Sequence, residues 1–163
     1  MKLSLQKRFF QVIGIFSIVL LFTACEKSDN YIDWKVLNQD WYAQHKNDPG
    51  FTVTESGLCY KRVFPTQGAN PADRMPNASD IVTVNYTGTF IDGLEFDNAE
   101  NVSFSLSNVV PGFREALLKM RQGERFEFYI PYDIGYGTKG EGNIPPYTML
   151  IFQITLLESR SSS

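Results

Sequence analysis

Cysteine and histidine are scarce in this 163-residue chain, which holds two of the first and one of the second. That scarcity excludes a zinc cluster, a disulfide framework and any nucleophile arrangement built on several such residues. Basic charge is short as well. The first 25 residues hold Lys2, Lys7 and Arg8 and no acid, so the remainder carries 12 bases against 18 acids, a net of −6. A nucleic-acid partner is disfavoured, because such binding depends on clustered Lys and Arg that neutralise phosphates. No GxSxG elbow, HExxH motif or internal repeat occurs. What the chain does have is 43% hydrophobic residues, with 13 Phe and 8 Tyr, in a length that suits one domain with an appendage.

The N-terminus reads as an address. Met1 to Arg8 is basic, and Phe9 to Phe22 is apolar except for Gln11, Gly14 and Ser17. This is the order of a secretory signal, and the run is short for a membrane span of roughly 20 residues. It ends in Leu21-Phe22-Thr23-Ala24-Cys25, which resembles the lipobox of bacterial lipoproteins, with Cys25 as the residue that receives the lipid. The alternative is an incidental thiol beside a plain cleavage site or a signal anchor. With Cys25 lipidated, Cys59 has no intramolecular partner and is expected to be a small apolar filler.

The expected organisation is a signal peptide over 1–24, a lipidated tether and short helix over 25–50, one domain over 51–158 and a disordered tail over 159–163. Trp34, Leu37, Trp41 and Tyr42 predict an amphipathic helix over Tyr31 to Lys46 that packs its aromatic stripe onto the domain, with dimerisation or lipid contact as lesser alternatives. His45 falls at its polar end and is expected to be solvated. From Phe51 onward strand signals dominate. Val82, Val84 and Tyr86 alternate with Thr83, Asn85 and Thr87, Asp92-Gly93 signals a hairpin, and Phe126, Phe128 and Ile130 share a face, as do Leu150, Phe152, Ile154 and Leu156. Only one helix interrupts them: Pro111-Gly112 opens it, and Phe113, Ala116, Leu117 and Met120 fall on one side before Gln122-Gly123. The fold class is therefore α+β, an antiparallel sheet of about five strands wrapped around one short helix.

Several motifs fail on context. Gly135-Tyr136-Gly137-Thr138-Lys139-Gly140 matches the dinucleotide fingerprint, but Glu141-Gly142-Asn143-Ile144-Pro145-Pro146 cannot begin the helix that must receive a pyrophosphate. Glu95 and Asp97 could serve a glycosidase, yet their spacing within one strand is as easily a surface pattern. Asn77, Asn85 and Asn101 match the glycosylation pattern, which a bacterial lipobox makes coincidental. The informative signal is aromatic: Tyr86, Phe96, Phe104, Phe113, Tyr136 and Phe152 lie on different elements, and a packed fold could gather them into one apolar concavity or into an ordinary core.

Order and spacing bear on that choice. Val82-x-Val84-x-Tyr86-x-Gly88, Asp92-Gly93-x-x-Phe96-Asp97, Val109-Val110-Pro111-Gly112-Phe113, Met120-x-x-Gly123, Ile130-Pro131, Tyr136-Gly137, Ile144-Pro145-Pro146 and Leu150-x-Phe152 together resemble the FKBP-type peptidyl-prolyl cis-trans isomerases. Ser56-Gly57-Leu58-x-Tyr60-Lys61 adds likeness to their bacterial Mip-type branch. The long dimerisation region of that branch is not found in the roughly 25 residues between Cys25 and the domain, and a monomer is expected.

The resemblance implies a proline pocket made of Tyr86, Phe96, Asp97, Val109, Val110, Phe113, Tyr136, Ile144 and Phe152. Tyr136 would donate a hydrogen bond to the substrate carbonyl, and the Val110 amide would hold the neighbouring backbone. Two positions depart from the family pattern: Phe113 stands where Trp is usual as the floor, and Val102 where a phenyl ring often lines the wall. The implied activity is isomerisation of X-Pro bonds in envelope or secreted proteins, with no cofactor and no metal. Macrolide inhibitors of the tacrolimus type are expected to bind with reduced affinity. The alternatives are a non-catalytic module that grips extended Pro-containing segments and a purely structural envelope protein. The expected location is the bacterial cell envelope, lipid-anchored, at the outer membrane with its domain periplasmic or surface-facing.

Overall fold

The computed structural model describes residues 29–63, 70 and 73–162. The signal segment, Cys25 and part of the loop after Val63 lie outside the described residues. The compact unit is Tyr31–Ser163. Its elements in chain order are α1 (Asp29–His45), β1 (Thr52–Val53), β2 (Cys59–Val63), β3 (Ile81–Thr89), β4 (Glu95–Ser105), α2 (Pro111–Leu117), β5 (Arg125–Ile130) and β6 (Leu150–Arg160). The six strands form one sheet in the order β1-β2-β5-β6-β3-β4, with every neighbour antiparallel. The sixth strand, beyond the five expected, is the two-residue β1.

Alternation decides which side each strand buries. Val82 and Val84 on β3, Phe126, Phe128 and Ile130 on β5, and Leu150, Phe152, Ile154 and Leu156 on β6 share one core with Phe113, Ala116 and Leu117 of α2. Each of those large side chains contributes about 1.5–3 kcal/mol by leaving water. Pro111 sits in the first turn of α2, where a missing N–H costs nothing. The helix stops at Leu117, earlier than Gln122-Gly123, and Met120 reaches the core from the turn that follows. The Asp92-Gly93 hairpin forms as expected, with the Phe90 N–H donating to the Leu94 carbonyl at 2.9 Å.

Three expectations need correction. The buried side of α1 carries Trp34, Asn38, Trp41 and Tyr42, while Leu37 is 55% exposed, because the Met149 N–H donates to Asn38 Oδ1 at 2.8 Å and turns that face inward. His45 is half-buried rather than solvated: its ring stacks on Trp41 at 4.1 Å and its Nδ1–H donates to the Trp41 carbonyl at 2.7 Å. The tail does not fray at Ser159, since Ser159 and Arg160 pair with Val82 and Ile81. Cys59 is the expected filler, fully buried, with its thiol pushed up to about 11 by that burial.

Candidate active site

On β3, Tyr86 follows the buried Val82 and Val84 on the core side and packs, half-buried, against the same core. β4 then returns beside it with a bulge, pairing Val84 with Val102 and Tyr86 with Ala99. This extra length brings Asp97 opposite Gly88, where the Tyr86 hydroxyl donates to Asp97 Oδ2 at 2.6 Å. Gly88 is required by close approach: a Cβ there would lie 2.6 Å from Phe96 and 2.8 Å from Phe152. The rings it admits meet edge to face, Phe96 with Phe152 at 5.5 Å and Phe152 with Phe113 at 5.1 Å.

The opposite wall is the turn before α2. Arg114 reaches back from the helix and donates to the carbonyls of Leu106 at 2.6 Å and Ser107 at 3.1 Å, which fixes the path of Val109 and Val110. The rim comes from the glycine-rich segment, which forms a loop as its sequence predicts. Glu141 and Ile144 exchange backbone hydrogen bonds of 3.0 and 2.8 Å across its tip. Gly140 has φ +71°, and a Cβ would fall 2.2 Å from the Ile144 carbonyl oxygen, so only glycine closes this tip. Tyr136 stands at the rim, 36% exposed.

These parts enclose one cavity of about 510 Å³. All nine residues of the expected pocket line it: Tyr86, Phe96, Asp97, Val109, Val110, Phe113, Tyr136, Ile144 and Phe152. Glu95 does not join Asp97 there; it accepts from Asn98 on the outer surface, so the two acids do not make a carboxylate pair. Val102 is also absent from the lining, and the aromatic wall at that side is Phe104, which meets Phe113 at 5.8 Å. Its alternation with Val102 on β4 was the available signal. Asn108, Glu141, Gly142, Asn143 and Leu150 complete the lining; the loop residues among them have no periodicity that sequence reading could use.

Burial raises the Tyr86 phenol well above its ordinary value, and the Asp97 carboxylate raises it further by accepting its proton in a hydrogen bond. Tyr136 is raised by burial and then by the charges of Asp97 and Glu141. Both phenols therefore remain protonated donors at neutral pH. No Ser, Cys, His or Lys lines the cavity among the described residues. The inventory is aromatic wall, two carboxylates and phenolic donors, which suits shape recognition of a small apolar ring beside a carbonyl.

Residues 72–157 match the family profile described as FKBP-type peptidyl-prolyl cis-trans isomerase. The chain belongs to that family. The chain is 38% identical over 134 residues to "Outer membrane protein MIP" of Legionella longbeachae, covering 79% of this chain and 55% of the relative. The crystal structure of FkpA from Escherichia coli superposes with a TM-score of 0.76 at 32% identity, covering 83% of this chain and 63% of that one. A peptidyl-prolyl cis-trans isomerase from Pseudomonas syringae gives 0.72 at 27% identity, covering 85% of this chain and the whole of that one. The chain spans about half the length of the curated relatives it matches.

Proposed function

We propose that this FKBP-type domain is a peptidyl-prolyl cis-trans isomerase acting on X-Pro bonds of envelope or secreted polypeptides. The observation that carries the reading is the convergence of Tyr86, Phe96, Phe113 and Phe152 on one cavity whose rim holds Asp97 and Tyr136. An X-Pro amide rotates slowly because resonance gives a barrier of roughly 18–20 kcal/mol. The twisted amide has lost the charge separation of the planar form, so an apolar, dry cavity favours it, and each ~1.4 kcal/mol of that preference gives about tenfold in rate. In this reading Phe96, Val109, Phe113, Ile144 and Phe152 hold the prolyl ring. The Tyr136 hydroxyl donates to the substrate carbonyl, and the Val110 N–H holds the next peptide unit. Asp97 fixes the Tyr86 phenol, and no proton changes hands.

The test is exchange NMR of the full chain in detergent micelles with a short X-Pro peptide. Accelerated cis-trans exchange supports the isomerase. Binding without exchange supports instead a module that grips Pro-containing segments, and neither effect sinks both. The smaller floor at Phe113 supports weaker binding of tacrolimus-type macrolides than in family members with Trp there.

Within the family, Ser56-Gly57-Leu58-x-Tyr60-Lys61 supports the Mip-type branch. The lipobox ending at Cys25 supports lipid anchoring in the bacterial envelope, consistent with the outer-membrane name borne by one relative.

A further inference from the structure

The loop that carries Tyr136 and Ile144 ends in an unfavourable geometry. Tyr147 has φ +62°, in the left-handed region that a bulky side chain rarely occupies and that persists only where its surroundings hold it. What holds this stretch comes in large part from α1. Trp34 Nε1 donates to Thr148 Oγ1 at 2.9 Å, and the same hydroxyl donates to the Pro145 carbonyl at 2.7 Å, one residue from Ile144. One helical turn on, Asn38 Oδ1 accepts the Met149 N–H at 2.8 Å, and Asn38 Nδ2 donates to the Trp34 carbonyl at 2.7 Å. Between them, Lys35 Nζ lies 4.9 Å from the centre of the Tyr147 ring. The Tyr147 N–H in turn donates to the Gly137 carbonyl at 3.0 Å, beside Tyr136.

Three consecutive residues, Tyr147 to Met149, are thus held by one side of α1, and both ends of the loop feel the hold. Asn38 is 1% and Thr148 2% exposed, so a lost partner would leave a buried polar group unpaired. The helix precedes residues 72–157, the span that matches the family profile. The brace is therefore supplied from ahead of the matched domain.

We infer that Trp34, through the Thr148–Pro145 link, and Asn38, through the Met149 N–H, are positioning residues for the active site that hold Ile144 and Tyr136 in place. This role rests on the isomerase reading, and its test separates the two. Turnover of a Leu-Pro tetrapeptide and the Ile144 δ1-methyl NMR signal are measured on the full chain in micelles. Trp34→Phe keeps an aromatic ring and removes the donor; Thr148→Val keeps the shape and removes the hydroxyl. Each lowers kcat/KM roughly threefold to tenfold, the effect of one net hydrogen bond, and shifts or broadens the Ile144 methyl. Thr148→Ser restores the hydroxyl and retains wild-type turnover, and Val36→Ala on the exposed side of α1 retains it too. The inference is overturned if Trp34→Phe and Thr148→Val keep both the wild-type kcat/KM and the wild-type methyl signal. Equal losses in Thr148→Ser and Thr148→Val overturn it as well, since packing alone would then be responsible. A wild-type chain that does not speed exchange overturns the isomerase reading, and the methyl signal of the variants then decides the positioning by itself.

Discussion

Phe113 is 6% exposed, and the rings of Phe152, Phe104 and Tyr86 meet it at 5.1, 5.8 and 6.2 Å. Three sides are closed by aromatic neighbours, and the remaining side faces the cavity. A larger ring can grow only into that space. Phe113→Trp should therefore tighten binding of a prolyl peptide by about 1 kcal/mol, roughly fivefold, through added contact with little loss of stability. Titration calorimetry beside a urea melt checks this; a loss of about 1–3 kcal/mol of stability would mean that the neighbours leave no room. At the rim, Tyr136→Phe removes the proposed donor and Asp97→Val removes the acceptor that holds Tyr86. Each should lower kcat/KM about tenfold while the melt stays near wild type, because a partly exposed hydrogen bond contributes only about 1 kcal/mol to folding. If both variants keep full turnover while the wild type isomerises peptides, these roles are misassigned although the family stands.

Among the elements, β3 and β6 were legible because one face is buried and the residues alternate without a break, as in Leu150, Phe152, Ile154 and Leu156. The beginning of β4 was not. Glu95 to Asn101 lies at the sheet's edge, largely exposed, with a bulge that ends in Asn101 at φ +52°, so it carries no alternation to read. On α1, Trp34, Trp41 and Tyr42 were legible, but Asn38 in place of Leu37 escaped for a different reason: Asn38 is buried by a partner 111 residues away, which no local window can weigh. The start of β3 is pinned by Asp80, whose carboxylate accepts from the Asn77 N–H at 2.9 Å, Arg74 at 2.6 Å and Ser159 at 3.2 Å. The Asn77 hydrogen bond first, then Arg74 and Ser159, hold it below the usual carboxylate range against the opposing effect of burial. A depressed folded value means stability that is present above the unfolded value of about 3.9 and lost as pH falls through the folded one. Asp80→Asn should thus lower the urea midpoint at pH 6, and the gap to wild type should close on acidification below pH 4. A gap that stays constant down to pH 2 would show that the charge contributes nothing.

Across the whole molecule, the cavity's lining runs from Tyr86 to Phe152, and what gathers it is the strand order β1-β2-β5-β6-β3-β4. The pairings of β2 with β5 and of β3 with β6 join segments far apart in the chain; periodicity marks strands but carries no information on which distant strand lies beside which. The multi-block family resemblance grouped the pocket residues without giving that order. It is silent on the N-terminal segment, where the lipobox is read from sequence and Cys25 lies outside the described residues. Anchor and active site should therefore separate cleanly by mutation. Cys25→Ala should abolish incorporation of labelled fatty acid and move the protein out of the membrane pellet or leave it uncleaved. Its peptide turnover should match wild type, and its Tm should stay within about 2 °C, the range of substitutions that touch no packed structure. Equal fatty-acid labelling of the variant and the wild type would place the lipid elsewhere or nowhere. A fall in turnover in detergent, where both forms are equally dispersed, would mean instead that the segment around Cys25 bears on the cavity and that anchoring and catalysis are not independent.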